Sequence, residues 1–331
     1  MTSIMGAFAQ TNTMKEVKVG GVIRGKYEYQ TEEGQGRFQV RTARINVSGK
    51  LNSKVDYKAE IDLCDEGKIK MLDAYTRLTL TDALKFSIGQ KRVPFTIDAH
   101  RSPSEQYFAN RSFIAKQVGN IRDVGAEIEY KFRLGFPVQL RVGIFNGSGL
   151  TNQKDFWTNN INFSSRVIAM LPIDLDVELS VQKIKPEHTD IYMYDIGATY
   201  HRNGFIAEAE FLYKHYGNHS FQSVKAFNSF VSYDIPFKKG LFKKASPLIR
   251  YDYMSDHSDG KHYLNGKEDS KGSLIVNDCK RSRITGGVTL SMDKSFLSDI
   301  RINYEKYFYG HNGVAKTSEK DKFVIEFMTR F

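Results

Sequence analysis

The chain of 331 residues is basic, with a formal net charge of +10, and its mean hydropathy is -0.44. No stretch approaches the ~18 consecutive apolar residues that a membrane-spanning helix needs, which excludes a helical membrane protein but not a β-barrel. A basic chain favours anionic partners. Because its charges are spread along the sequence and form no basic tail, nucleic acid is not expected to be a partner.

The N-terminal residues predict the end of a secretion signal. Ala7-Phe8-Ala9 before Gln10 has the small-x-small pattern of a signal cleavage site. The charged segment and the long apolar stretch of a complete signal are missing, and a disordered N-terminus is the alternative interpretation. We therefore expect a signal remnant over residues 1–9 and a single barrel domain over residues 10–331.

Apolar and polar residues alternate with period two from Val17 to the C-terminus. This pattern predicts β-strands, and their length of nine to fifteen residues exceeds the ~5–6 residues of a typical globular strand and suits a membrane crossing. The phase slips between Arg41 and Arg44, which predicts a β-bulge. Sixteen segments show the alternation: 15–29, 36–50, 53–64, 68–80, 84–92, 121–133, 136–146, 159–170, 174–184, 190–201, 204–214, 222–235, 246–254, 279–292, 296–309 and 320–331.

The connections between these segments alternate between tight turns and longer links. The longer links are 93–120, 147–158, 255–278 and 310–319. Short turns on one side and long loops on the other are typical of outer-membrane barrels, whose short turns face the periplasm. The sequence therefore predicts an all-β protein, a 16-stranded antiparallel transmembrane β-barrel in the bacterial outer membrane.

The link 93–120 is the longest stretch without alternation and the third connection on the long-loop side. In sixteen-stranded outer-membrane barrels this connection folds inward and narrows the channel, so we expect the same here. Cationic side chains line anion pores, and guanidinium groups match phosphate geometry. Six basic residues between 91 and 122 face only two acids, and with two arginines of the second segment they give the candidate constriction: Arg41, Arg44, Lys91, Arg92, Arg101, Arg111, Lys116 and Arg122. The alternative is that some of these charges pair with the opposite wall and hold the loop in place.

The last segment predicts how the barrel closes. Phe323, Ile325, Phe327 and Phe331 fall on one face, with polar and apolar residues on the other. A C-terminal strand that ends on an aromatic residue is expected to pair with the first strand and to place that ring at the membrane interface.

Several motifs resemble the phosphate-selective porin O and P family. They include Arg41-Thr-Ala-Arg44-Ile-Asn-Val-Ser-Gly49, Tyr57-Lys-Ala-Glu-Ile-Asp-Leu63, Ile88-Gly-Gln-Lys-Arg-Val-Pro-Phe95 and Arg122-Asp-Val-Gly125. The resemblance implies a homotrimer surrounded by outer-membrane lipid and lipopolysaccharide, with a basic eyelet formed partly by the third loop. It implies passive diffusion of small anions, phosphate or polyphosphate among them, without a cofactor.

Three alternatives stay open from the residues alone. A general-diffusion or sugar-type porin without anion specificity shares the same fold. An enzymatic barrel needs a histidine with a fixed nucleophile or carboxylate, and the loop histidines His257 and His262 lack such spacing. Neither catalysis nor a metal site is therefore expected. A soluble β-sandwich also alternates, but strand length and terminal Phe331 argue against it.

Overall fold

A computed structural model describes residues 17–65, 68–118, 122–147, 149–150, 154–310 and 316–331. The predicted signal remnant at residues 1–9 lies outside the described residues. The described chain forms sixteen long strands, which we number in chain order: β1 Lys18–Gln30, β2 Gln35–Lys50, β3 Val55–Asp65, β4 Lys68–Thr79, β5 Leu84–Arg92, β6 Arg122–Arg133, β7 Pro137–Phe145, β8 Asn162–Leu171, β9 Leu175–Ile184, β10 Ile191–Arg202, β11 Phe205–Tyr216, β12 Val224–Tyr233, β13 Lys244–Met254, β14 Arg281–Ser291, β15 Ser298–Tyr309 and β16 Lys322–Arg330.

Each strand pairs antiparallel with its sequence neighbours, and the last strand pairs with the first. The β1–β16 register runs from Val22 opposite Arg330 to Gln30 opposite Lys322. Beyond it, the Phe331 N–H donates to the Gly21 carbonyl at 3.1 Å. The predicted closed 16-stranded barrel is thus confirmed. Two shorter segments also pair. Ile235–Pro236 pairs with the start of β13, and Tyr263–Leu264 forms a separate hairpin with Lys267–Glu268.

The alternation along each strand separates a lipid-facing side from a lumen-facing side. In β16, Phe323, Ile325 and Phe327 are about half exposed on the outside, whereas Val324 and Glu326 are fully buried. Carboxylates and guanidinium groups can occupy the inner face because they pair with one another across strands. In the described part of the chain, no helix is long and apolar enough to span a membrane.

The connection between β5 and β6 folds into the barrel, as the sequence predicted. It contains a 3₁₀ turn, Pro103–Glu105, and one short helix, α1 (Phe113–Gln117), which begins at the N-cap Ser112. Phe113 and Ile114 are buried in an apolar cluster with Ile191, Met193 and other inward residues. Burial of each such side chain contributes about 1.5–3 kcal/mol. The apolar side of the loop is therefore packed against β10–β13, and cavities remain between the loop and β1–β7.

Candidate functional site: a basic ion pathway

The inward loop is held to the wall by its main chain. The Ile97 N–H donates to Glu210 Oε1 at 2.6 Å, and the Ala109 N–H donates to Asn303 Oδ1 at 2.9 Å. Wall arginines donate to loop carbonyls at four further places: Arg24 to Ala109 at 2.7 Å, Arg250 to Asn110 at 2.9 Å, Arg283 to Arg111 at 2.7 Å and Arg301 to Ser104 at 3.2 Å. These charge-assisted bonds fix where the loop stands in the lumen.

Asp98 and Arg111 stabilise the loop from within. Asp98 Oδ2 accepts hydrogen bonds from the Ser112 N–H at 2.9 Å and the Ser112 hydroxyl at 2.8 Å. Burial alone would raise the pKa of Asp98, but the guanidinium groups of Arg101 and Arg111 hold it below its usual value. Arg111 donates to the carbonyls of Ala99 at 3.0 Å and Arg101 at 3.1 Å. In the described part of the chain Arg111 forms no ion pair with a carboxylate, and its charge acts both on Asp98 and on the lumen that it lines.

A cavity of about 810 Å³ lies between the loop and strands β1 to β4, on the long-loop side. Its lining is strongly unbalanced in charge, because eleven of its residues are basic and only two, Glu28 and Asp62, are acidic. The basic residues are Arg24, Lys26, Arg37, Arg41, Arg44, Lys70, Arg111, Lys116, Arg122, Arg283 and Lys322. We call this space the outer cavity.

Arg41 stands apart within this lining because of a β-bulge. In the β1–β2 ladder Arg24 lies opposite Thr42 while Gly25 lies opposite Val40, so Arg41 is the extra residue. The bulge predicted from the phase slip is thereby confirmed. A bulge re-aims the side chain at its site, and Arg41 reaches the outer cavity as an exposed residue. Its side chain forms no hydrogen bond or ion pair with any part of the chain that the structure describes.

Arg44 and Arg122 line the same cavity, and both form ion pairs with acidic residues of the wall. Arg44 Nε lies 2.9 Å from Asp62 Oδ2, and Arg122 Nε lies 2.7 Å from Asp73 Oδ1. Glu60 Oε1 lies between the two guanidinium groups, at 3.2 Å from Arg44 and 3.1 Å from Arg122. These pairs orient the two guanidinium groups toward each other and lower their cost of burial.

A smaller cavity of about 360 Å³ lies on the short-turn side of the loop, and we call it the inner cavity. Here six lysines and arginines face five acids, so the charge is nearly balanced. Lys91 Nζ lies 2.9 Å from Glu127, and Arg92 donates to the His100 carbonyl. Arg141 lies 2.9 Å from His100 Nε2. Burial and the surrounding cations, Arg166 and Arg141 foremost, hold the pKa of His100 well below 6.5, so the ring stays neutral and accepts this bond.

Comparisons with known proteins agree with this geometry. A family model described as phosphate-selective porin O and P matches residues 17–169, which confirms the resemblance. Among solved structures, OmpF of Salmonella typhi in complex with daunomycin shares 13% identity over 96% of this chain and 98% of that one, with a TM-score of 0.64. The chain has the porin fold of the bacterial outer membrane.

Two further porin structures have the same architecture. An anion-selective porin from Comamonas acidovorans shares 12% identity over 96% of this chain and all of that one, with a TM-score of 0.61. OmpT of Vibrio cholerae in its trimer form shares 12% identity over 96% and 99% of the two chains, with a TM-score of 0.62. No curated protein sequence matches this chain.

The eight residues predicted to line the constriction divide into three groups within the porin fold. Five of them line the outer cavity, namely Arg41, Arg44, Arg111, Lys116 and Arg122. Two line the inner cavity, namely Lys91 and Arg92. Arg101 instead lies against the wall, where its Nη1 atom is 3.1 Å from Glu208 Oε1 and 3.4 Å from Asp98. Burial lowers the pKa of Arg101, but Glu208 outweighs it and leaves the pKa raised.

Sequence reasoning missed several basic residues of the outer cavity. Arg24 and Lys26 alternate with apolar residues in β1, and Lys322 begins β16. The signal that could have found them is the period-two alternation, which puts Arg24 and Lys26 on the inner face of β1, and β1–β16 pairing brings Lys322 to the same cavity. The side chain of Lys116 lines the cavity and forms an ion pair with Glu319 of the β15–β16 connection.

Proposed function

We propose that this porin passes small anions of the phosphate class by passive diffusion through the outer cavity and past the inward loop. The observation that carries the proposal is the lining of eleven basic and two acidic residues. Rings of cationic side chains attract anions and replace part of their hydration shell, and several weak sites in series allow release. The proposal includes no cofactor and no catalytic step.

Guanidinium groups without a carboxylate partner supply the attraction. Arg41 has no partner in the described chain, and Arg92 and Arg111 donate only to main-chain carbonyls there. Asp98 exerts the largest charge effect on Arg111, and the like charges of Arg92, Arg44 and Arg24 oppose it. An anion entering this group relieves repulsion among like charges, which favours occupancy. Planar guanidinium donors suit tetrahedral oxyanions better than they suit chloride.

We also propose that three copies assemble in the outer membrane, in contact with lipid and lipopolysaccharide. Support comes from the trimer form of the Vibrio cholerae protein and from the apolar outer wall, where Phe38 and Ile69 are 86% and 73% exposed. Such side chains need lipid or a second copy to cover them. The protein mass of the detergent-solubilised assembly, measured by sedimentation, decides between one and three copies.

The ion selectivity of the purified protein in a planar bilayer tests the proposed function. Under a salt gradient we expect an anion-selective zero-current potential, and with phosphate in place of chloride we expect conductance that saturates. Cation selectivity, or conductance linear in phosphate, would favour the general-diffusion or sugar-type alternative.

Replacing Arg41 with Glu tests the site. The change of two charges at about 10 Å in water is worth about 0.8 kcal/mol, so the anion-to-cation permeability ratio should fall at least about fourfold. The matched control is Lys54→Glu, the same charge change at an exposed residue of the β2–β3 turn, and it should leave the ratio nearly unchanged. Arg111 is a poorer target because its side chain holds the loop together. Equal ratios in the two variants would exclude Arg41 from the pathway.

A further inference from the structure

A second polar site lies behind the loop, on the side away from the outer cavity. Asp195 of β10 and Glu210 of β11 are 5% and 1% exposed and point into the barrel beneath the loop segment Thr96–Ile97. Glu210 Oε1 accepts the Ile97 N–H at 2.6 Å, and Asp195 Oδ1 lies 3.5 Å from Ser180 Oγ. The remaining oxygens, Asp195 Oδ2 and Glu210 Oε2, are buried without a hydrogen-bond partner in the described chain.

These two carboxylates have little compensating positive charge in the described chain: Arg166 acts on Asp195, but it is already paired with Glu178. Neither forms an ion pair there, and the charged groups that act on Glu210 are Asp195, Asp98 and Glu208, all of them acidic. The nearby arginines are already engaged, Arg166 with Glu178 and Arg101 with Glu208. Two buried carboxylates that form no ion pair are costly, because desolvation penalises the ionised form.

Two neutral side-chain oxygens lie on the neighbouring strand and on the covering loop. Asn228 of β12 lies directly opposite Glu210 in the strand register, and its Oδ1 is buried without a partner among the described residues. Thr96 Oγ1 is likewise buried without a hydrogen-bond partner among the described residues. The Thr96 N–H donates to Ser180 Oγ, and Ser180 lies opposite Asp195 in the strand register. Asn228 and Thr96 are each 1% exposed. Four acceptor oxygens on three neighbouring strands and the covering loop therefore lack a donor.

We propose that Asp195, Glu210, Asn228 and Thr96 bind a divalent cation of the calcium class between the loop and the barrel wall. Two carboxylates with neutral side-chain oxygens form the all-oxygen donor set that Ca²⁺ takes, and Ca²⁺ tolerates irregular geometry better than Mg²⁺. The described residues contain no group of three or more His, Cys, Asp or Glu that could hold a metal, so this site depends on its amide and hydroxyl oxygens. The cation supplies the missing charge and ties the loop to β10–β12.

Calcium binding by the whole folded protein tests the site. The protein is refolded in detergent without lipopolysaccharide, treated with a chelator and titrated with CaCl₂ in a calorimeter. We expect one Ca²⁺ per chain and a higher unfolding temperature with Ca²⁺ than with chelator. The Asp195→Asn/Glu210→Gln double variant should lose both effects. It should fold, because it removes the buried charge and keeps the side-chain shapes.

Two further variants make the result specific. Asn228→Ala keeps both carboxylates and should weaken Ca²⁺ binding about tenfold, the order that loss of one supporting group costs. Asp174→Asn, at a side chain 54% exposed in the β8–β9 turn, should bind as the unchanged protein does. The proposal is overturned if the unchanged protein binds no Ca²⁺, as a proton shared by the two carboxylates would require, or if the double variant binds equally well.

Discussion

At the scale of single residues, the sequence predicted which basic residues lie around the loop but not which acidic residues pair with them. The basic residues around the loop were recognisable from spacing alone, and seven of the eight candidates line a lumen cavity. Spacing could not show which of them pair with an acid, or with which acid. Arg101 meets Glu208, 107 positions away, and Lys116 meets Glu319, 203 positions away. Such partners become neighbours only once the loop is docked in a closed barrel.

The Arg101–Glu208 pair yields a prediction about stability rather than selectivity. Glu208 is buried and also accepts from Thr199 Oγ1 at 3.0 Å. Arg101→Met should lower the free energy of unfolding by about 3–5 kcal/mol, because it leaves an unpaired buried carboxylate, whereas Arg101→Met/Glu208→Leu should recover most of that loss. Denaturant titration in detergent measures both. If Arg101→Met instead lost much of its anion selectivity at unchanged stability, Arg101 would be a residue of the ion pathway.

At the scale of strands and loops, the period-two pattern predicted nearly everything, because lipid on one side and a polar lumen on the other impose the same alternation on every strand. The inward loop and the bulge at Arg41 were also foreseeable. The ends of strands were less so: the eighth segment was expected from residue 159, and β8 begins at Asn162. The docking of the loop through Glu210 and Asn303 depends on long-range contacts that no local pattern encodes.

Barrel closure depends on a close approach at Gly21. A Cβ atom there would lie 2.5 Å from Phe331 Cζ and 2.6 Å from the Arg44 carbonyl, whereas one at Gly25 in the same strand would meet nothing within 4 Å. Gly21→Ala should therefore destabilise the folded barrel by about 1–3 kcal/mol through overpacking, and Gly25→Ala should be neutral. The fraction of heat-modifiable barrel on an unboiled gel reports the difference. Equal folded fractions would show that Phe331 moves aside without cost.

At the scale of the whole molecule, charge is distributed unevenly along the barrel axis. The outer cavity holds eleven basic and two acidic residues, while the inner cavity holds six basic and five acidic. The inward loop separates them and is fixed to one half of the wall. An anion approaching from the long-loop side therefore meets the more strongly basic of the two cavities before the constriction, whereas one approaching from the short-turn side reaches the constriction through the nearly balanced inner cavity. Local anion concentration at the two mouths should differ accordingly.

This asymmetry predicts a rectifying channel. In channels inserted with one orientation, anion current entering from the long-loop side should exceed current entering from the short-turn side at 0.1 M salt, where the Debye length is about 10 Å. The ratio should approach one at 1 M salt, where that length is about 3 Å and the outer field is screened. Arg41→Glu should reduce the low-salt ratio, and Lys54→Glu should not. Rectification that persists at 1 M salt would point to the shape of the loop, rather than its charges, as the cause.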